Sequence, residues 1–446
     1  MTSPGPVIMW FRRDLRLAGN LAVAQAAAAG DGRALAVFVL DPRLLRAAGE
    51  RRRNYLAWSL DALNKQLGGR LVLRSGDPAV VLTQLAEEVS ATQVLFTADF
   101  GPYGGRRDAE VTDALHAGGV RATAVGSPYA VDPGSVVKQD GTPFGVFSPF
   151  FRAWQQQART APASTPEVSW AEAPTEPPLQ RRAPETAGEV AATATWQRYC
   201  AVITDYKQRR NRPDLDATSR LSAALKYGEI HPLTILRDLA GQTTPGAKAY
   251  VRELAWREFC ADLLLRYPDA ATEPIRTAFT AMAYDEPGAA FDAWCAGRTG
   301  YPLVDAGMRQ LLHEGYMHNR ARMTTASFLV KDLHVHWKHG ARWFMNQLRD
   351  GDLASNSLNW QWVAGCGVDP APYYRIFNPI LQGKKFDPDG SYVRRWVPEL
   401  REVPAPQIHE PWQHPAAGGY PAPIVDHATA RAEALRRYEA VRELGQ

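Results

Sequence analysis

VIMWF at 7–11, ALAVFVL at 34–40, LVL at 71–73, VLF at 94–96 and VRATAV at 120–125 decide the fold of the first part of the chain. Each is a short apolar run of strand length. Between them stand longer alanine- and leucine-rich stretches with helical spacing, such as Leu21 to Ala29 and Tyr55 to Leu67. Strands alternating with helices predict a parallel sheet covered on both faces, an α/β, doubly wound domain over residues 1–128. Ligands of such sheets bind beyond the carboxyl ends of the strands. Neither GxGxxG nor GxxxxGK[ST] follows any of these runs, so a dinucleotide fingerprint and a P-loop are both absent.

Outward from this domain the texture changes. Residues 129–195 are rich in proline, threonine, alanine and glutamate, and read as an interdomain linker over the surface, anchored by Phe150, Phe151 and Trp154. From 196 to 446 the signal is helical: Tyr250 to Tyr267 and Leu303 to Leu312 carry apolar residues at three- and four-residue spacing, with breakers at Tyr267-Pro268 and Pro287-Gly288. This predicts a larger all-α domain. The whole chain, 446 residues at 45% hydrophobic and 22% charged, has ample material for packed cores. No apolar run reaches the ~18 residues of a membrane span. The four cysteines are scattered without a CxxC pair, which predicts reduced thiols in a cytoplasmic protein and excludes a disulfide scaffold. A net charge of +4 is compatible with a polyanionic partner without defining one.

Residues 316–378 hold the densest mixture of polar groups and aromatics, with Asp-Gly-Asp, an asparagine-rich turn and Trp-Gln-Trp. A helical core with satisfied caps explains any one of these residues. The set together points to a wrapped polar ligand, because buried polar groups need partners. The three histidines His334, His336 and His339 do not share one helix face, and no further ligand stands near Asp350 and Asp352 at metal spacing, so no metal is expected.

WFRRDLR at 10–16, TSRLS at 218–222, ELAWREF at 253–259, TGYPLVDAGMRQL at 299–311, MHNRARM at 317–323, ASFLVKDL at 326–333 and DGDLASNSLNWQW at 350–362 resemble the photolyase/cryptochrome family, most of all its class I cyclobutane pyrimidine dimer photolyases. The resemblance runs through nearly the whole chain. It implies an N-terminal α/β domain, a long linker, and a helical domain that holds FAD and binds DNA. The implied activity is light-driven repair of cyclobutane pyrimidine dimers, a carbon–carbon lyase reaction in which excited FADH⁻ lends an electron to a dimer flipped out of the duplex. The implied partner is DNA containing pyrimidine dimers, bound by a monomer with no membrane and no metal. The other reading is a cryptochrome-type blue-light photoreceptor without repair activity.

On this resemblance Tyr206, Thr218, Ser219, Arg220, Leu221 and Ser222 fall on the segment that binds the FAD diphosphate; hydroxyls and backbone N–H groups at a helix start suit such a group. Asp350 and Asp352 fall on the aspartates facing the isoalloxazine and its sugar chain, Arg322 on the arginine paired with the first, and Arg257 on a flavin-side position. Asn356 falls opposite flavin N5. A neutral amide there adds no negative charge and suits a flavin working as a reduced anion, whereas the aspartate of plant cryptochromes favours protonated radical forms.

Glu253, Trp256, Asn319, Met323 and Trp362 fall on the dimer pocket. Trp256 and Trp362 offer flat faces to unstacked bases, Glu253 and Asn319 offer hydrogen bonds, and Met323 is a polarizable filler. Enzymes for the six-four photoproduct carry histidines where this chain has Asn319 and Met323, and their chemistry needs that proton donor. Arg210, Arg320, Arg375, Lys384 and Lys385 fall on or near DNA-phosphate contacts. Trp360 and Trp337 match the inner members of the family's electron wire; the outer position falls on Tyr284, where many relatives have tryptophan, with Trp294 as another exit. For a second, antenna chromophore, Arg52, Asp99 and Lys226 match deazaflavin ligands, although Gly101 replaces a carboxylate of that pattern. Tyr103-Gly104 replace the Asn-Glu of folate binders. The expectation is therefore 8-hydroxy-deazaflavin rather than folate.

Overall fold

The computed structural model describes residues 5–157, 159, 162–368 and 374–444. They cluster into two compact units: Met1–Phe144 with Ser148–Ile203 and Ser219–Pro268, and Gly145–Phe147 with Thr204–Thr218 and Asp269–Gln446.

In the first unit five strands, β1 (Val7–Phe11), β2 (Arg33–Leu40), β3 (Val72–Ser75), β4 (Gln93–Phe96) and β5 (Arg121–Ala124), form a parallel sheet in the order β3-β2-β1-β4-β5. The apolar runs are continuous because both faces are covered. Val7, Met9, Phe11, Ala34, Ala36 and Phe38 pack on one side, and Ile8, Trp10, Leu35, Val37 and Val39 on the other. Chain order reverses between β1 and β4, which opens the ligand crevice of this fold class at their carboxyl ends.

The proline-rich segment is more structured than a plain connector. It contains the helix Phe147–Gln156 and a two-residue strand, β6 (Ser169–Trp170), that adds to β2 through Arg33↔Ser169 and Ala34↔Trp170. Two short pairings carry no periodicity, so this strand is silent in the sequence. The next helix, Glu189–Cys200, begins before Trp196.

Helix Pro245–Arg266 starts on a Thr244 cap whose hydroxyl accepts from Ala247 N at 3.2 Å, with proline in its first turn. It lies in the first unit together with Ala223 and Tyr227, which bury against one sheet face. Its Glu258 carboxylate fastens the incoming chain. It accepts from Ala130 N at 2.6 Å, Val131 N at 3.1 Å and Trp154 Nε1 at 2.6 Å. Asp262, one turn on, accepts from Gly134 N at 2.7 Å.

The second unit is helical. Its core gathers Trp294, Met308, Leu311, Phe328, Trp337, Phe344 and Trp360 from helices Ala289–Cys295, Pro302–Glu314, Asn319–Lys331, Trp337–Gln347 and Leu353–Ala364. Among the described residues no helix is long and apolar enough to cross a membrane.

Glu258→Ala leaves buried N–H groups of Ala130, Val131 and Trp154 without an acceptor. It is expected to destabilise the first unit by about 3 kcal/mol and to expose the 130–157 segment to protease. Thermal unfolding and limited proteolysis check this; a wild-type digestion pattern would contradict it.

Candidate functional site

Two helix starts build the helical unit's polar centre. His318 caps Asn319–Lys331, its Nδ1 accepting from Arg320 N at 3.1 Å. Burial, with Arg322 and Arg320 nearby, pushes this histidine down to about 4, so it is neutral and committed to the cap. Asp352 caps Leu353–Ala364, accepting from Ser355 N at 3.0 Å. An ion pair joins the two: Arg322 Nη2 donates to Asp350 Oδ2 at 2.8 Å, while Arg322 Nε donates to the Met317 carbonyl at 2.7 Å. Burial works against the guanidinium's charge, but Asp350 outweighs it and raises the Arg322 pKa.

On Leu353–Ala364, Asn356 and Trp360 stand four residues apart on one face, and Trp362 is turned by roughly 200° from Trp360. Asn356 Nδ2 donates to the Ala341 carbonyl at 3.0 Å, which orients the amide and leaves Oδ1 as its acceptor. Trp360 rests on Gly340, where a Cβ would come within 2.2 Å of its ring. Its ring centroid lies 5.0 Å from Phe344 and 6.3 Å from Trp294. Trp294 is 0% exposed and donates Nε1 to the Thr325 carbonyl at 3.0 Å, so it is an inner neighbour of Trp360 and no surface exit in itself.

The outer positions are bridged by a residue that the sequence offered only as one of three histidines without a common face. His336 caps Trp337–Gln347, and its ring lies 5.6 Å from Trp337 and 4.5 Å from Tyr284. Burial pushes His336 down to about 4. Burial, reinforced by Cys366 and Tyr374, pushes the Tyr284 phenol upward.

The substrate-side residues of this unit also gather. Asn319 Nδ2 and Arg320 Nη1 each approach Met323 Sδ at 3.8 Å. Arg320 Nε donates to Asn211 Oδ1 at 2.9 Å, next to Arg210, which lies over Tyr206 at 5.4 Å. Arg320 and Lys385 flank the Phe386 ring at 4.6 and 5.4 Å. Arg375 lies 5.8 Å from the Trp362 ring. Lys384 is paired with Glu410.

Of the diphosphate segment, Thr218 Oγ1 lies 3.2 Å from Tyr316 Oη, within the helical unit. Arg220 takes a left-handed φ of 54°, a strained conformation for a side chain of this size. Leu221 and Ser222 open the helix Ser222–Tyr227, and Ser219 Oγ lies 2.8 Å from Tyr250 Oη. Within the first unit the Ser219 hydroxyl, the Arg220 guanidinium and the backbone amides at the helix start make a donor set that fits a phosphate of a flavin dinucleotide. In the first unit Glu253, Trp256 and Arg257 share Pro245–Arg266. Trp256 meets Phe259 edge-on at 5.7 Å, and Arg257 donates to the Pro128 and Leu225 carbonyls at 3.2 and 3.1 Å.

The crevice beyond β1 and β4 holds the antenna candidates. Arg13 Nε donates to the Lys226 carbonyl at 3.3 Å, and the Tyr227 hydroxyl donates to the Arg52 carbonyl at 3.1 Å. Asp99 accepts from Arg107 Nη2 at 3.2 Å. Burial works to raise the Asp99 carboxyl, but Arg13, Arg107 and Arg12 outweigh it and hold the pKa below the usual range. Gly104 permits the close approach: a Cβ there would lie 2.2 Å from Asp99 Cγ. Among the described residues no cluster of three or more potential metal ligands occurs.

Known proteins match this arrangement. Residues 7–169 match the DNA photolyase domain, and 250–440 match the FAD binding domain of DNA photolyase. The chain is 39% identical to the deoxyribodipyrimidine photo-lyase of a Synechococcus species, over 95% of this chain and 94% of that protein. Among solved structures it resembles a class III photolyase of Agrobacterium tumefaciens, with TM-score 0.92, 37% identity and 99% of both chains covered. It also resembles a Synechocystis cryptochrome, with TM-score 0.88, 27% identity, and 98% and 100% covered. The chain belongs to the DNA photolyase family and carries that family's FAD-binding domain. The motifs resemble class I and the solved neighbour carries a class III name; the family is common to both.

Arg322→Met takes the guanidinium away from the buried Asp350 carboxylate. It is expected to cost about 3 kcal/mol and to lower the thermal midpoint by several degrees. Arg322→Lys should recover part of this, since a single ammonium cannot reach both Asp350 and the Met317 carbonyl. An unchanged midpoint in the methionine variant would contradict the pair's role.

Proposed function

We propose that the protein is a deoxyribodipyrimidine photolyase that repairs cyclobutane pyrimidine dimers in DNA with light, working as a cytoplasmic monomer. The observation carrying this reading is the Leu353–Ala364 helix, which presents Asn356 with Trp360 on one face and Trp362 beside Arg375 on another. FAD, bound and fully reduced, supplies the electron that opens the cyclobutane ring and takes it back once the ring has split. The chain's own groups make that possible. Tyr206, Thr218, Ser219, Arg220, Leu221 and Ser222 hold the diphosphate. Arg322, Asp350, Asp352 and Arg257 hold the ring and its sugar chain. Asn356 Oδ1 would accept a hydrogen bond from the N5–H of the reduced ring, and its Nδ2, tied to the Ala341 carbonyl, keeps that acceptor in place.

Asn319, Met323, Trp256 and Trp362 receive the flipped bases, and Glu253 hydrogen-bonds a base carbonyl where negative charge grows. Arg210, Arg320, Arg375, Lys384 and Lys385 meet phosphates; Lys384 must first leave Glu410, so it contributes least. His318 is neutral, with Nδ1 committed to its cap, so it is no imidazolium acid, which favours a dimer that needs only electron transfer over a six-four photoproduct. Trp360, Trp337 and Tyr284 carry electrons inward to restore the reduced flavin, with His336 between the last two. Arg52, Asp99 and Lys226 would face a second chromophore, 8-hydroxy-deazaflavin rather than folate, at the crevice of the sheet.

The reduced protein, illuminated with an oligonucleotide carrying one thymine dimer, is expected to regenerate ordinary thymines in light and not in darkness. A photoreceptor without repair activity would leave the dimer intact. Glu253→Ala should lower the dimers split per absorbed photon by about tenfold with FAD retained; an unchanged yield would remove Glu253 from the site. Trp360→Phe should abolish light-driven reduction of oxidised FAD, while the chemically reduced variant still repairs. Persistent photoreduction would show a route that bypasses Trp360.

A further inference from the structure

The Asn319–Lys331 helix ends on a cation that the proposed chemistry leaves unused. Lys331 is 2% exposed. Its Nζ donates to the Arg375 backbone carbonyl and lies 4.1 Å from the Tyr374 ring centroid. Tyr374 in turn stacks on Tyr438 at 4.4 Å. Lys331, Tyr374, Arg375 and Trp362 line one pocket.

A buried ammonium is costly, and an apolar side chain of similar length would fill the same volume without that cost. Burial pulls Lys331 down to about 7, and Arg375 adds to the pull while Cys366 and Asp332 oppose it. What the amine does that a thioether cannot is donate. Residues 374–378 form neither helix nor strand, so their backbone groups need outside partners. Two come from one face of the Asn319–Lys331 helix, four residues apart. Ser327 Oγ accepts from Phe377 N at 3.3 Å, and Lys331 Nζ donates to the Arg375 carbonyl. The segment is thereby clamped to the helix that also carries Asn319, Arg320 and Met323.

We propose that Lys331 is a positioning residue for damaged DNA: by holding the Arg375 carbonyl it fixes the Arg375 guanidinium beside Trp362, where that guanidinium meets a phosphate next to the flipped dimer. The proposal rests on the DNA-repair reading above.

The test measures binding of the full-length, FAD-loaded protein to a duplex with one thymine dimer across a series of salt concentrations. Lys331→Met is expected to weaken binding about tenfold and to flatten the plot of log affinity against log salt by about 0.9, one phosphate contact. Its melting temperature is expected to change little, because relief of the buried charge offsets the lost hydrogen bond to the Arg375 carbonyl. Arg375→Ala should lose the same slope, and the double variant no more than either single one. Lys331→Gln keeps an N–H donor without the charge and should restore the slope. If glutamine behaves like methionine, or if Lys331→Met keeps the wild-type slope while Arg375→Ala loses it, the positioning role is overturned. If Arg375→Ala itself keeps the wild-type slope, the phosphate contact assigned to Arg375 fails and the proposal falls with it. Failure of dimer binding by the wild-type protein would instead remove the repair reading.

Discussion

The second unit depends on one ion pair, between the buried Asp350 carboxylate and a partly exposed Arg322. Arg322 lies in the first turn of one helix, and Asp350 lies just before the cap of another. The contact therefore fixes where two helix starts stand relative to each other. Everything else in the polar centre is measured from those starts. Asn319, Arg320 and Met323 occupy the first helix within a turn of Arg322, and Asn356, Trp360 and Trp362 follow the second. Arg322 also grips the Met317 carbonyl, so one guanidinium ties a cap, a turn and a carboxylate. A lysine offers one point of charge and cannot do this.

Around that pair the histidines are used as architecture. His318 and His336 both cap helices through Nδ1, and both are held neutral by burial. A capping imidazole has one nitrogen committed as an acceptor, which fixes the proton on the other. Both imidazoles thus orient helix starts and do not titrate near neutral pH.

Much of this was legible in the sequence, and the gaps have physical causes. The sheet was readable because its strands are buried on both faces, which turns alternation into continuous runs such as VIMWF and ALAVFVL. The caps at Asp352 and Thr244 are local and carry their own signature. The two-residue β6 was invisible, because it is too short for a pattern. The fastening of 130–134 by Glu258 and Asp262 joins residues more than a hundred positions apart, and nothing local announces it. His336 looked like one of three histidines without a common face; its place between Trp337 and Tyr284 comes from a turn, not from helical spacing. Lys331 sat within a recognised motif but had no role until the partner carbonyl of Arg375 was seen.

A common device explains how so much irregular chain is held. Buried carboxylates accept from backbone N–H groups outside regular ladders, among them Glu189 from Leu17 and Ala18, Glu229 from Gly188, Glu258 from Ala130 and Val131, Asp305 from Thr299 and Gly300, and Asp387 from Tyr392 and Val393. Burial pushes Glu229, Glu258, Asp305 and Asp387 above their ordinary pKa values, even with these donors in place. Ionising them therefore works against the fold, and their stability contribution cannot be the charge. What they supply is acceptors where the backbone makes a turn that neither helix nor sheet can complete. Lys331 is the same device with the sign reversed, a buried donor for a carbonyl that has no ladder partner. The regular elements place the aromatic and amide groups, and these buried polar side chains finish the backbone that the regular elements leave open.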